Sequence, residues 1–124
     1  MLKLHHAPNT RSGRIVWLLE ELSLPYELNR MEFQKLSIPD VILVKPTLFE
    51  DQRGFFMESY HIEKFKAGGI DNNFIQDNHV KSVQNTLRGL HYQEQFPQAK
   101  LLRCLKGGVF DVAVDIRENS STYG

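Results

Sequence analysis

Two side chains in the second half of this sequence are of the types that move a proton beside a polarised oxygen. His91 lies in TLRGLHYQ, residues 86–93, and a neutral imidazole has the near-neutral pKa that a general base requires. Lys100 opens the run KLLRCLKG, where its ammonium can face a developing oxyanion. Period-two alternation groups His91 with Leu87, Gly89 and Gln93, and places Arg88 on the other face with Leu90 and Tyr92. Gly89 is the kind of residue that marks a bulge, and a bulge would turn Arg88 and His91 into one cavity. A plainer reading stays open beside this one, because strand histidines are commonly packed or surface residues and lysines are commonly solvated.

A second group suits recognition rather than proton transfer. RGFFMESY supplies Arg53, Phe56 and Glu58, and FIQDNHV supplies Gln76 and Asn78. Alternation puts Phe56 and Glu58 on one face, and Phe74, Gln76 and Asn78 on one face of another strand. Aromatic rings beside amides can stack on and hydrogen-bond a nucleotide or a sugar. The competing reading is core phenylalanines with turn-forming Asn and Asp. Cys104 falls inside an apolar run with no histidine at fixed spacing, so a buried inert thiol is expected. Tyr92 and Gln93 follow His91 where a second histidine ligand would be needed, so no metal is expected.

The whole chain limits what these residues can serve. Its 124 residues, 41% of them hydrophobic, are enough for one ordinary domain. Fifteen basic residues balance fifteen acidic ones, which leaves no net field to attract nucleic acid or an anionic membrane. One cysteine excludes an internal disulfide and suits a reducing compartment. No apolar run reaches the roughly 20 residues of a membrane span, and the first ten residues lack a signal-peptide core. A cytoplasmic protein is expected.

The elements that must position the candidates change character near residue 31. Before it, LKLHH reads as a strand, and Ile15, Leu18, Leu19 and Leu22 follow a helical period with Asn9, Thr10 and Ser12 as possible N-caps. Pro25 then precedes a second short strand, giving a β-α-β opening. After residue 38 the runs DVILVKP, RGFFMESY, NFIQDNHV, TLRGLHYQ, KLLRCLKG and GVFDVAVDIR read as six strands, and HIEKFKAGG reads as the single helix among them. In the last run Phe110, Val112, Val114 and Ile116 share one face, expected to be packed, while Asp111, Ala113, Asp115 and Arg117 share the wet face. This grammar predicts a mainly β sandwich, barrel or jelly roll.

The stretches IPDVILVKPTLFEDQRGFFMESY, FIQDNHVKSVQNTLRGLHYQ, KLLRC and GGVFDVAVDIRENSSTYG closely resemble the amino-terminal part of the dTDP-4-dehydrorhamnose 3,5-epimerase family, over about residues 33–124. The resemblance implies a metal-free, cofactor-free cupin-type jelly roll of dTDP-L-rhamnose biosynthesis, acting on a dTDP-4-keto-6-deoxy sugar. It implies that His91 abstracts the protons at C3 and C5, with Lys100 near the ketone oxygen where enolate charge appears. Arg88 corresponds to a diphosphate ligand, and Gln76 and Asn78 to nucleotide and sugar contacts. Arg53, Phe56 and Glu58 correspond to residues that reach into a neighbouring subunit's site, which implies a homodimer. The family's acid tyrosine, the carboxylate that orients the histidine and a further histidine correspond to positions after Gly124. The jelly roll is therefore expected to be incomplete and this chain inactive by itself.

LKLHHAPNTRSGRIVWLLEELSLPYELNRMEF resembles the opening of a bacterial glutathione S-transferase, the first β-α-β portion of a thioredoxin-like domain. That resemblance covers about residues 1–32 and implies thiolate stabilisation by Thr10, with Asn9 and Ser12 as competitors at a helix start. The strand and turn that hold the glutathione peptide in that family are not written here. A non-catalytic fusion of transferase and epimerase pieces is the other reading of the chain.

Overall fold

The computed structural model describes residues 2–4, 11, 13–28 and 31–124. Strand β1 (Leu2–Leu4), helix α1 (Gly13–Glu21) and strand β2 (Tyr26–Leu28) form the expected β-α-β unit, with β1 and β2 parallel and Leu2 opposite Tyr26. The proposed caps Asn9, Thr10 and Ser12 lie outside the described residues. Helix α1 ends where Ser23 takes a φ of 50°. Its N–H then reaches Glu20 O at 3.0 Å, and the Leu24 N–H reaches Leu19 O at 3.0 Å. This paired closure satisfies two otherwise orphaned carbonyls before Pro25. Leu19 is buried, whereas Ile15, Trp17, Leu18 and Leu22 remain exposed.

Strands β3 (Glu32–Lys35) and β4 (Ile42–Lys45) form an antiparallel hairpin with Phe33 opposite Val44. The turn between them is closed by Leu36 N–H to Val41 O at 3.0 Å and Val41 N–H to Ile38 O at 2.9 Å. Strands β5 (Phe49–Asp51) and β6 (Gly54–Phe56) form a second hairpin across Gln52 and Arg53. Helix α2 (Ile62–Ala67) follows, as expected. The RGFFMESY run is strand only in its Gly54–Phe56 part.

A small aromatic cluster holds this middle region together. Phe65 of α2 is 1% exposed. Its ring meets Phe33 of β3 edge-on at 5.4 Å and Tyr60 at 4.8 Å, and Tyr60 in turn meets Phe74 at 5.8 Å. Such edge-to-face contacts add to the apolar burial. Two glycines permit the close approach. A Cβ at Gly68 would overlap the Phe33 ring, and Gly69, at a φ of 90°, lets Ile70 N–H turn back to Phe65 O at 2.8 Å.

Beyond Phe74 the expectation of four further strands is corrected. NFIQDNHV, TLRGLHYQ, KLLRCLKG and GVFDVAVDIR form no strand, and the residues between 75 and 114 are exposed throughout. A strand's N–H and C=O groups need a ladder partner, and among the described residues these runs have only the single bridge of Asp115 to Tyr123. The packed face expected in the last run is exposed as well, with Phe110 at 95%. Asp115, assigned to the wet face, is instead buried at 6%. Cys104, expected to be a buried thiol, is exposed. The chain exposes 11629 Å², against about 6,800 Å² for a fully folded monomer of its mass.

Candidate functional site

The candidate residues divide between the hairpin region and the extended segment. In the first, Arg53 occupies the β5–β6 turn and donates its backbone N–H to Asp51 Oδ1 at 2.8 Å, with its guanidinium on the same carboxylate at 2.5 Å. That guanidinium, helped by the backbone donor, holds the Asp51 carboxyl below the ordinary carboxylate range. Phe56 lies opposite Phe49 across the ladder, with ring centroids 6.1 Å apart. Glu58 accepts from Lys64 of α2 at 2.6 Å. The β5–β6 hairpin thus carries Arg53 and Phe56, and a contact to α2 holds Glu58.

In the extended segment each candidate side chain that bonds does so within a few residues of itself. Gln76 Nε2 donates to Asn78 Oδ1 at 3.2 Å, Arg88 Nη2 to Ser82 Oγ at 3.2 Å, and Lys100 Nζ to Gln98 Oε1 at 2.6 Å. His91 makes no hydrogen bond or ion pair with the described residues. Its Nδ1 lies 3.8 Å from where a Gly89 side chain would begin, and Gly89 has a φ of 107°. Only Gln76 and Asn78 are brought into contact with each other. With no partner to choose its tautomer and no contact to Lys100, the exposed imidazole has the composition of a base but not its setting. Thr10 lies outside the described residues. Among the described residues, no three His, Cys, Asp or Glu side chains are grouped to hold a metal.

The best-built polar centre is one that candidate selection missed. The Asp115 carboxylate accepts Arg117 Nε at 2.8 Å, Arg117 Nη2 at 2.7 Å, Ser120 Oγ at 2.6 Å and Thr122 Oγ1 at 2.7 Å. These donors, the guanidinium foremost, hold its pKa far below the usual range, and Arg117's is raised in return. The readable signal was an Asp followed by Arg, Ser and Thr at two, five and seven residues, the short-range pattern by which such side chains close local turns.

Against this geometry, comparison with known proteins defines the class: the chain is similar to sugar-nucleotide epimerases across most of its length. A family model described as dTDP-4-dehydrorhamnose 3,5-epimerase matches residues 35–124, and the chain belongs to that family. The matched span contains every candidate residue except Thr10. A dTDP-4-dehydrorhamnose 3,5-epimerase of Shigella flexneri is 54% identical over 96 residues, which are 76% of this chain and 53% of that protein. The proteins of the same name from Pseudomonas aeruginosa and Methanothermobacter thermautotrophicus are 53% and 47% identical. They match over 95 and 92 residues, covering 76% and 74% of this chain and 52% and 50% of their own lengths. The chain spans about half the length of the curated relatives it matches.

Proposed function

We propose that this chain carries the base-bearing portion of a dTDP-4-dehydrorhamnose 3,5-epimerase acting on a dTDP-4-keto-6-deoxy sugar. The observation that carries this reading is the family match over residues 35–124, which includes His91 within RGLHYQ and Lys100 within KLLRC. His91 is the base for the protons at C3 and C5, which the 4-keto group acidifies. Lys100 supplies positive charge where the enolate oxygen forms. Arg88 holds the diphosphate, Gln76 and Asn78 contact nucleotide and sugar, and Arg53, Phe56 and Glu58 serve the site of a second copy in a homodimer. The hairpin region is the part already built, consistent with the last three lying here.

In this reading residues 33–124 are part of a cupin-type jelly roll, and the strands that pair the exposed runs belong to the half of the relatives' length that the chain does not span. The chain is cytoplasmic in this reading; no helix among the described residues is long and apolar enough to cross a membrane. Residues 1–32 are a leader resembling a glutathione S-transferase start. The parallel β1-α1-β2 unit supports that likeness to a thioredoxin-like opening, with Thr10 as its thiolate-facing residue.

The test is solvent deuterium incorporation into dTDP-4-keto-6-deoxyglucose. Joined in frame to the later half of the Shigella flexneri relative, the chain should catalyse exchange at C3 and C5 and run as a dimer in light scattering. Alone, it should turn over neither the sugar nucleotide nor glutathione conjugates. A joined protein that folds yet exchanges neither proton would overturn the reading, and a stable folded monomer would remove the shared-site role of Arg53, Phe56 and Glu58.

A further inference from the structure

The last ten residues form a closed unit around one carboxylate. Besides its four side-chain donors, Asp115 receives the Arg117 N–H at 3.1 Å on Oδ1 and the Gly124 N–H at 2.9 Å on its carbonyl. Ser120 N–H reaches Arg117 O at 2.9 Å, Thr122 N–H reaches Ser120 Oγ at 3.2 Å, and Asp115 pairs with Tyr123 in a parallel bridge. A buried carboxylate with every lone pair occupied orders the chain around it.

Arg117 also faces outward. Its Nη1 contacts Asp40 Oδ2 at 2.5 Å, across 77 positions of sequence. Asp40 lies between β3 and β4, and β3 carries Phe33, which belongs to the ring cluster of Phe65, Tyr60 and Phe74. Phe74 at the start of the extended segment and Arg117 at its end are therefore both tied to the same hairpin-and-helix body.

We propose that Asp115, Arg117 and Asp40 form a clasp that closes the segment bearing His91 and Lys100 into a tethered loop, ordering residues 115–124 first and docking them on the β3–β4 turn second. The two steps differ in strength. Asp115's bonds are short, local and buried, whereas Asp40 and Arg117 are 72% and 55% exposed at the side chain, so solvent screens their attraction. Docking both ends removes the end-to-end closure entropy of a loop of about 43 residues in advance, so later strand pairing starts from a closed chain. This inference stands on the contacts and does not depend on the epimerase reading.

The experiment uses the full chain carrying Ser37→Cys and Cys104→Ala, with a nitroxide on the new cysteine and nuclear magnetic resonance as readout. Amide signals of Thr122 and Tyr123 should be broadened. Asp40→Asn should reduce the docked population about two- to fivefold, as for an exposed ion pair, and Asp40→Glu should restore it. In Asp40→Asn the Ser120 and Gly124 amides should keep their protection from hydrogen exchange, while Asp115→Asn should accelerate both tenfold or more. Absence of broadening in the parent, undiminished broadening in Asp40→Asn, or unchanged exchange in Asp115→Asn would each overturn the clasp.

Discussion

Residues 31–70 and residues 71–124 are both written as strands, yet the first stretch builds a body and the second does not. In the first, β3 meets β4 across one short turn and β5 meets β6 across two residues, so each ladder closes locally. Helix α2 then adds Phe65 as a common centre. In the second, Ile75 and Leu87 are 93% and 92% exposed although they stand in runs of good strand composition. Pairing with partners distant in sequence must overcome loop closure before it gains any contact. Strand composition without a partner strand leaves the chain open, and the proposed base and cation stand in that open part.

The largest test of this contrast removes the chemistry and leaves the body. In the chain joined to the later half of a relative, His91→Ala should lower deuterium exchange at both carbons by about 10²- to 10⁴-fold while dTDP binding persists. Lys100→Met should lower it by about 10²- to 10³-fold through the enolate rather than the base. Normal exchange in His91→Ala would take that residue out of the mechanism, and an unchanged rate in Lys100→Met would end the oxyanion role.

Removing the body's centre should do the reverse. Phe65→Ala deletes a fully buried ring, which costs about 3–5 kcal/mol where neighbours cannot collapse inward. Backbone amides of β3 and β4 should lose protection from hydrogen exchange, and amides between 75 and 114 should not change because they are already open. Coupled loss in both regions would mean that the extended segment shares the same cooperative unit.

These differences also mark what could be read from residues alone. The β-α-β start, β4, helix α2 and part of the RGFF strand follow from local signals: apolar period, Pro25, and Gly68 and Gly69 at a helix end. Strand β3 was missed because EFQK has one apolar residue and no alternation to detect. Strand β5 was missed for its length of three residues. The four runs after Phe74 have strand propensity but form no strand, because the ladder is a property of two segments. Of the site, the residue types and the family were legible, because motif spacing is local. The way those residues are brought together was not, since it depends on partners outside these runs. Asp115 shows a further limit of alternation: two-period logic makes it a surface residue, yet three local donor residues bury it.

Acid should separate the clasp from the aromatic body. Asp115 is held below its ordinary pKa chiefly by Arg117, then by Ser120 and Thr122. A depressed carboxylate contributes stability that is complete above the unfolded pKa of about 3.9 and is lost as pH falls through the folded value. Protection of the Gly124 amide, corrected for intrinsic exchange, should therefore stay level from about pH 8 to about pH 5 and decline only in stronger acid. Asp40, the other carboxylate facing Arg117, adds docking rather than internal order. A decline centred near neutrality would assign the order to a histidine instead.

The smallest effect concerns the entrance to α2, where the body itself is imperfectly closed. His61 is the N-cap residue, with extended backbone at φ −152° and ψ 118°, and its side chain makes no cap hydrogen bond. Its Nδ1 is buried without a hydrogen-bond partner among the described residues. The first N–H groups of the helix thus lack the side-chain acceptor that Asn, Asp, Ser or Thr would present, and a buried polar atom is left unmatched. His61→Asn should stabilise residues 31–70 by about 0.5–1 kcal/mol, since the asparagine oxygen reaches the second or third helical N–H without leaving the extended backbone. Urea denaturation should show this as a higher midpoint at unchanged slope, because the surface exposed on unfolding is the same. His61→Ala provides the control: it removes the unmatched nitrogen but adds no cap, and should give little or none of the gain. Equal stabilisation by both variants would locate the defect in the buried Nδ1 rather than in the open helix start.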